Sequence, residues 1–288
     1  MIELTLLKVT HSGEQEARKL IPYIQDCDVF GIEHAACTER EASENERVWQ
    51  RLLGTDISRS RLQEMPYVSI LDEKRRVYTA KVIDYLFRNK RLLWSTERFT
   101  EEEAQMVKNI CKKSDLLARE AKWALGIHNL ETFFPIYHAH LSEINREMEV
   151  RDKEVARNFA EAEERLREFY PSLQEKQPLR YTQFIGALHE PEKYYSPVRV
   201  EPLHKNSFDL KVMHYIRQGT SHSEIKKELL ALALELWYRI PSEQSMKMTY
   251  ENIVPFAQKT IQEYYQRKLK QLNKGGLKQL NKSSQDQK

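Results

Sequence analysis

Cysteine is scarce in this chain. Cys27, Cys37 and Cys111 are the only 3 in 288 residues, and none forms a C-x-x-C arrangement. An odd number spaced this way excludes a fully paired disulfide framework and a cysteine-based zinc site, and reads as reduced intracellular thiols. Glycine and proline are also few, at 8 and 10, which excludes collagen-like, low-complexity and turn-dense all-β architectures. No run approaches the roughly 18 consecutive apolar residues of a membrane-spanning helix. Residues 1–30 lack the basic, apolar and small-residue succession of a secretory leader. The expectation is a cytoplasmic protein with no membrane span. A dominant charge sign is missing too, because 46 basic residues nearly cancel 43 acidic ones. That balance argues against nucleic acid as a partner, as does a basic C-terminal stretch without interleaved aromatics.

What remains is 40% hydrophobic and 31% charged, a composition suited to a helix-rich globular protein. The pattern predicts an α/β fold: a central, mostly parallel sheet flanked by helices, with a large helical insertion. Residues 2–9 are nearly continuous in apolar and β-branched side chains, as in a strand buried on both faces. Ala17, Leu20, Ile21 and Ile24 follow at helical spacing, and Val29 to Glu33 reads as the next strand. This predicts a paired βαβ opening. Thr38 to Leu53 reads as a helix, and Val77, Ala80, Val82, Ile83 and Leu86 give another. Residues 91–97 form a short strand ending in Glu97. Thr100 with Glu103 has the spacing of a capping box. A stripe of Ile144, Met148, Val155, Phe159, Ala162, Leu166 and Phe169 marks a helix over 143–169. Strands at 181–189 and 196–200, then two or three helices over 224–271, complete the reading. One domain over 1–262 is expected, with the insertion at about 98–178 and a basic, flexible tail at 263–288.

Two strand-like runs end in histidine, at His11 and His189, and a third ends in Glu33. In an open α/β sheet the carboxyl ends of parallel strands line the ligand crevice, so two imidazoles and a carboxylate could share one site. Two neutral imidazoles and a carboxylate suit a divalent metal with an open position for water. Without metal, a histidine base oriented by a carboxylate could activate water against an ester or peptide carbonyl. Glu97, at the end of the 91–97 strand, reads first as a helix cap and second as a candidate for the same crevice, and His138 and His140 read as helical residues outside the site. His34 would turn away from Glu33 in a continuing strand, and would be free to join the crevice as a turn residue.

Four stretches together, Val9-Thr10-His11, Phe30-Gly31-Ile32-Glu33, Val150-Arg151-Asp152-Lys153-Glu154-Val155-Ala156 and Ile185-Gly186-Ala187-Leu188-His189, resemble the TraB/TIKI proteins. Their wider superfamily is the erythromycin-esterase-like and ChaN-like group. The resemblance spans residues 2–190 and implies His11 and His189 as paired site histidines and Glu33 as the site carboxylate, acting either directly as catalytic residues or as ligands of one divalent metal ion. It also implies Arg151, at a helix start, as the catalytic cation facing the crevice, and it leaves haem open as a cofactor. Lys8 stands where the first motif of those proteins has glycine. The function implied is that of a hydrolase-like protein cleaving an ester or peptide bond in a small-molecule or peptide substrate. The alternative is a noncatalytic protein binding a small molecule, haem or a signalling peptide in the same crevice.

Overall fold

The computed structural model describes residues 1–9, 14–33, 37–53, 73–196, 198–203 and 208–283, without the side chains of 14–16, 73–78 and 272–283. The chain divides into two compact units, one made of Met1–Lys112 with Ile144–Ser207, the other of Lys113–Glu143 with Phe208–Lys288.

The first unit is α/β. Among the described residues its strands are β1 (Ile2–Val9), β2 (Val29–Ile32), β3 (Leu92–Ser95), β4 (Leu179–Gly186) and β5 (Arg199–Pro202). They form one sheet of order β3-β2-β4-β1-β5, with every pairing parallel. β4 separates the first two strands, so the predicted direct pairing of β1 with β2 is replaced by a shared neighbour. Both strands still run the same way, and their carboxyl ends lie on one edge. No described helix is long and apolar enough to cross a membrane.

Each face of the sheet buries its own core. Leu7, Val9, Phe30, Ile32, Leu93 and Phe184 pack against α1 (Glu14–Lys19), α2 (Ile21–Asp26), α3 (Glu39–Leu52) and α4 (Glu73–Arg88), through Ala17, Leu20, Ile24, Trp49 and Ile83. The expected single helix over 17–24 is thus two, broken at Leu20, with Pro22 in the first turn of α2. Leu4, Leu6, Val29, Trp94, Tyr181 and Ile185 face Val155, Phe159, Ala162 and Leu166 of the long helix α6 (Leu130–Phe169). The alternation of partners along β1 is the period-two geometry of a strand buried on both sides.

The helix ends follow the sequence. Thr38 and Glu41 cap α3 reciprocally. Thr100 and Glu103 do the same for α5 (Glu101–Gly126), with backbone-to-side-chain bonds of 2.9 and 3.2 Å. α6 starts at Leu130, well before the predicted 143, so Arg151 lies within the helix and not at its start.

The free edge of β3 is closed by side chains. Trp49 Nε1 donates to Arg91 O at 3.0 Å, Tyr170 Oη donates to Leu93 O at 2.5 Å, and Ser95 N donates to Glu46 Oε1 at 2.8 Å. These backbone groups point away from β2 and would otherwise invite another strand. Glu46 is held in turn by Arg98, whose guanidinium lies 3.8 Å from the Trp94 ring centroid.

The second unit is helical: α7 (Phe208–Arg217), α8 (Lys226–Tyr238), α9 (Ser242–Met246) and α10 (Tyr250–Ser283), with residues 113–126 of α5 and 130–143 of α6. Tyr137 is central to its core, stacked on Phe133 at 5.2 Å and edge-on to Trp237 at 5.0 Å between centroids. His138 and His140 lie here as expected, bound to Thr220 O and to Ser114.

Candidate functional site

Polar side chains replace apolar ones where the strands of the first unit end. The change begins one layer below the edge. Gln183 Nε2 donates to Thr96 Oγ1 at 3.1 Å, its Oε1 accepts from Tyr181 Oη at 3.0 Å, and Thr96 Oγ1 donates to Ile32 O at 3.0 Å. Asn158 on α6 donates to Thr96 O at 2.7 Å. This layer requires the glycine at 31, because a Cβ there would lie 1.9 Å from Gln183 Oε1 and 2.5 Å from Tyr181 Oη.

Above it sits a network of ionisable groups from three strand ends and one helix. Glu33 follows β2, Glu97 follows β3, His189 closes the turn after β4, and Arg151 and Asp152 come from α6. Arg151 Nε donates to Glu97 Oε1 at 2.8 Å, its NH1 donates to Glu147 at 3.0 Å, and its NH2 donates to Glu33 Oε1. Glu33 Oε2 accepts from Gly186 N at 2.8 Å. His189 Nδ1 meets Asp152 Oδ1 at 2.6 Å, while its Nε2 is 3.4 Å from Glu33 Oε1. Asp152 Oδ2 also accepts from Glu190 N at 2.8 Å, which fixes the chain beyond the histidine.

Burial sets the protonation states. Arg151, Asp152, Glu97 and His189 are all buried. Burial alone would strip the proton from His189, and the Arg151 charge adds to that. The Glu33 charge and the hydrogen bonds to Asp152 and Glu33 outweigh both, so the imidazole is raised to about 9 and is an imidazolium at neutral pH. Burial raises Glu97 to about 7 against the pull of Arg151, with the Glu33 charge acting in the same direction as burial. Arg151 is held cationic by Glu97, Glu33 and Glu147 in spite of its own desolvation.

Glu33, His189 and Arg151, all expected at the site, meet in this network. His11 and His34 lie outside the described residues. Among the described residues no group of three or more His, Cys, Asp or Glu side chains is arranged to hold a metal ion. The donor set around Glu33 explains this in part: both its oxygens accept from N–H groups, and a guanidinium stands where a cation would bind. The described residues therefore do not fit a divalent ion. Arg151 has its planar fork engaged by three carboxylates and acts as their common counter-ion.

Glu97 corrects the expectation of a helix cap, since Thr100 caps α5 and Glu97 binds Arg151 from full burial. Asp152, Glu147, Asn158 and Gln183 were not singled out by the sequence reading. A signal existed for two of them: stepping back from Leu166 through Ala162, Phe159 and Val155 by threes and fours lands on Asn158 and Asp152. A polar residue on a core stripe marks a buried partner.

Lys8 projects from β1 on the α6 side, in register with Ile185 and Pro202, and pairs with Glu192 just past the histidine turn. It occupies the strand end that a glycine would have left open. Comparison with protein-family models, with curated proteins and with solved structures gives no match.

Proposed function

We propose that the first unit is a metal-independent hydrolase-like module acting on an ester or peptide bond, with Glu33 and His189 as its catalytic pair. The observation that carries this reading is the His189 ring held between Asp152 and Glu33 at the carboxyl edge of a parallel sheet. That edge is where ligands of open α/β sheets bind. Glu33 is the more exposed member of the pair, with His189 almost sealed, so a water molecule reaches the carboxylate first. In this reading Glu33 accepts the proton of the attacking water, and His189 Nε2 gives its proton to the departing oxygen or nitrogen. Asp152 orients the ring, and Arg151 with Glu97 fixes the Glu33 carboxylate, which makes these three positioning residues. The resemblance to the TraB/TIKI and erythromycin-esterase-like proteins supports the same assignment of Glu33 and His189.

The test is turnover of a broad ester and peptide panel by the intact chain, before and after chelation. Activity that survives chelation and falls by two or more orders of magnitude in Glu33→Gln and in His189→Asn supports the reading. Activity that vanishes on chelation and returns with a divalent ion would replace it with a metal site including His11.

One observation favours the noncatalytic alternative, a crevice that only binds a small molecule or peptide: the Lys8–Glu192 pair fills the end of β1. A ligand whose affinity depends on Glu33 and Lys8, with no turnover of any substrate in the panel, would establish it.

A further inference from the structure

The helical second unit leaves large apolar side chains in water on two helices that meet. On α5, Leu116, Trp123 and Ile127, just past its C-terminal end, are spaced seven and four apart, which puts them on one face. Trp123 is 64% exposed, and the other two are more than half exposed. On α10, Tyr265 and Leu269 are four apart, and Leu269 is 60% exposed. The two faces adjoin at Gly126, where an added Cβ would lie 3.2 Å from Tyr265 Oη. From Tyr265 to Gln271 every side chain of α10 is exposed. Scattered single hydrophobics need no explanation, but adjoining ones of this size mark an interaction surface.

The sequence of α10 beyond Tyr264 is basic, while Glu120 is exposed on the α5 face between Leu116 and Trp123. Between 264 and 283 the chain carries Arg267, Lys268, Lys270, Lys274, Lys278 and Lys282 and no carboxylate, and α10 runs to Ser283. Trp and Tyr with aliphatic neighbours and a basic flank match a headgroup layer, where aromatic rings sit at the boundary and cations meet anionic lipid. Nucleic acid would use the cations but leaves an exposed Leu269 and Ile127 without a role. We infer that the Trp123, Ile127, Tyr265 and Leu269 face of the second unit docks on an anionic lipid surface, lying on it and not crossing it.

The full chain is tested against vesicles of phosphatidylcholine alone and of phosphatidylcholine with about one third phosphatidylserine, some carrying brominated acyl chains. Co-sedimentation is expected with the anionic vesicles only, falling as salt rises, with each removed cation weakening it roughly five-fold. Brominated lipid should quench tryptophan emission, and Trp123→Phe should abolish most of the quenching. Trp123→Ser with Leu269→Ser should lose binding at least ten-fold with an unchanged circular dichroism spectrum. Three results would overturn the inference. One is no sedimentation with anionic vesicles at low salt. Another is vesicle binding that the double serine variant leaves unchanged. The third is a lipid-free dimer that the same variant dissociates, which would make this face a contact between copies.

Discussion

His189 and Glu33 approach one another from the ends of adjacent strands, with Nε2 of one 3.4 Å from Oε1 of the other. Neither is a neighbour of the other in sequence, and each is fixed by a backbone amide or carboxylate on its far side. The pair is therefore set by the sheet, and substitutions in the supporting groups should disturb it in predictable directions.

Asp152 bonds both the His189 ring and the Glu190 amide. Asp152→Asn removes the charge that keeps the imidazolium buried, and breaking such a pair costs about 3–5 kcal/mol. A urea titration should show that loss as a lower midpoint with an unchanged slope. A midpoint within experimental error of the wild type would mean that Asp152 does not carry His189.

Stability should decline on alkalisation. The folded protein holds the His189 proton up to about pH 9, against 6.5 for an ordinary imidazole. The stabilisation is full below the lower value and is lost as pH rises through the upper one, on the order of 2–3 kcal/mol. Glu97, raised from 4.5 to about 7, acts in the same direction at lower pH. Thermal midpoints measured across pH 6.5 to 9 should fall in the wild type and stay flatter in His189→Asn; parallel curves would remove His189 as the cause.

Lys8→Gly should destabilise the protein and leave the site no better. The lysine is almost buried, and its partner Glu192 already has one buried oxygen, Oε2, without a hydrogen-bond partner. Loss of the ammonium leaves that carboxylate uncompensated, a cost of about 1–3 kcal/mol for a pair with partial solvent access. Lys8→Gly with Glu192→Gln should recover most of it, as read by calorimetry.

Gly31→Ala should cost about 1–3 kcal/mol, because Gln183 and Tyr181 must abandon satisfied buried bonds to admit a methyl group. In a Gln183→Ala background the same substitution should cost less. Additive costs in this double-mutant cycle would show that the close approach is not limiting.

The strands, their shared direction and the cap of α5 were legible because each rests on local chemistry: apolar runs, and Thr100 with Glu103 three positions on. The order of strands was not, because nothing local in residues 2–33 says that a strand from beyond residue 178 will enter between the first two. The site was half legible for the same reason. Glu33 and His189 end recognisable strands, whereas the partners of Arg151 and His189 depend on which face of α6 meets the sheet. Glu97 was placed at the crevice only second, because a carboxylate shortly before a helix has a common local explanation, and only the tertiary fold supplies Arg151.

The place of β4 between β1 and β2 also sets a timetable for synthesis. A chain still on the ribosome with its first hundred residues exposed has β1, β2 and β3, yet lacks the strand that joins β1 to the other two. Tyr170, which covers Leu93 O, is equally absent then. The nascent chain thus carries β1 without a partner strand through the whole translation of α5 and α6. Pairing this distant in sequence is slow and exposes sticky intermediates, so newly made protein is where a chaperone's hold on this fold should be strongest.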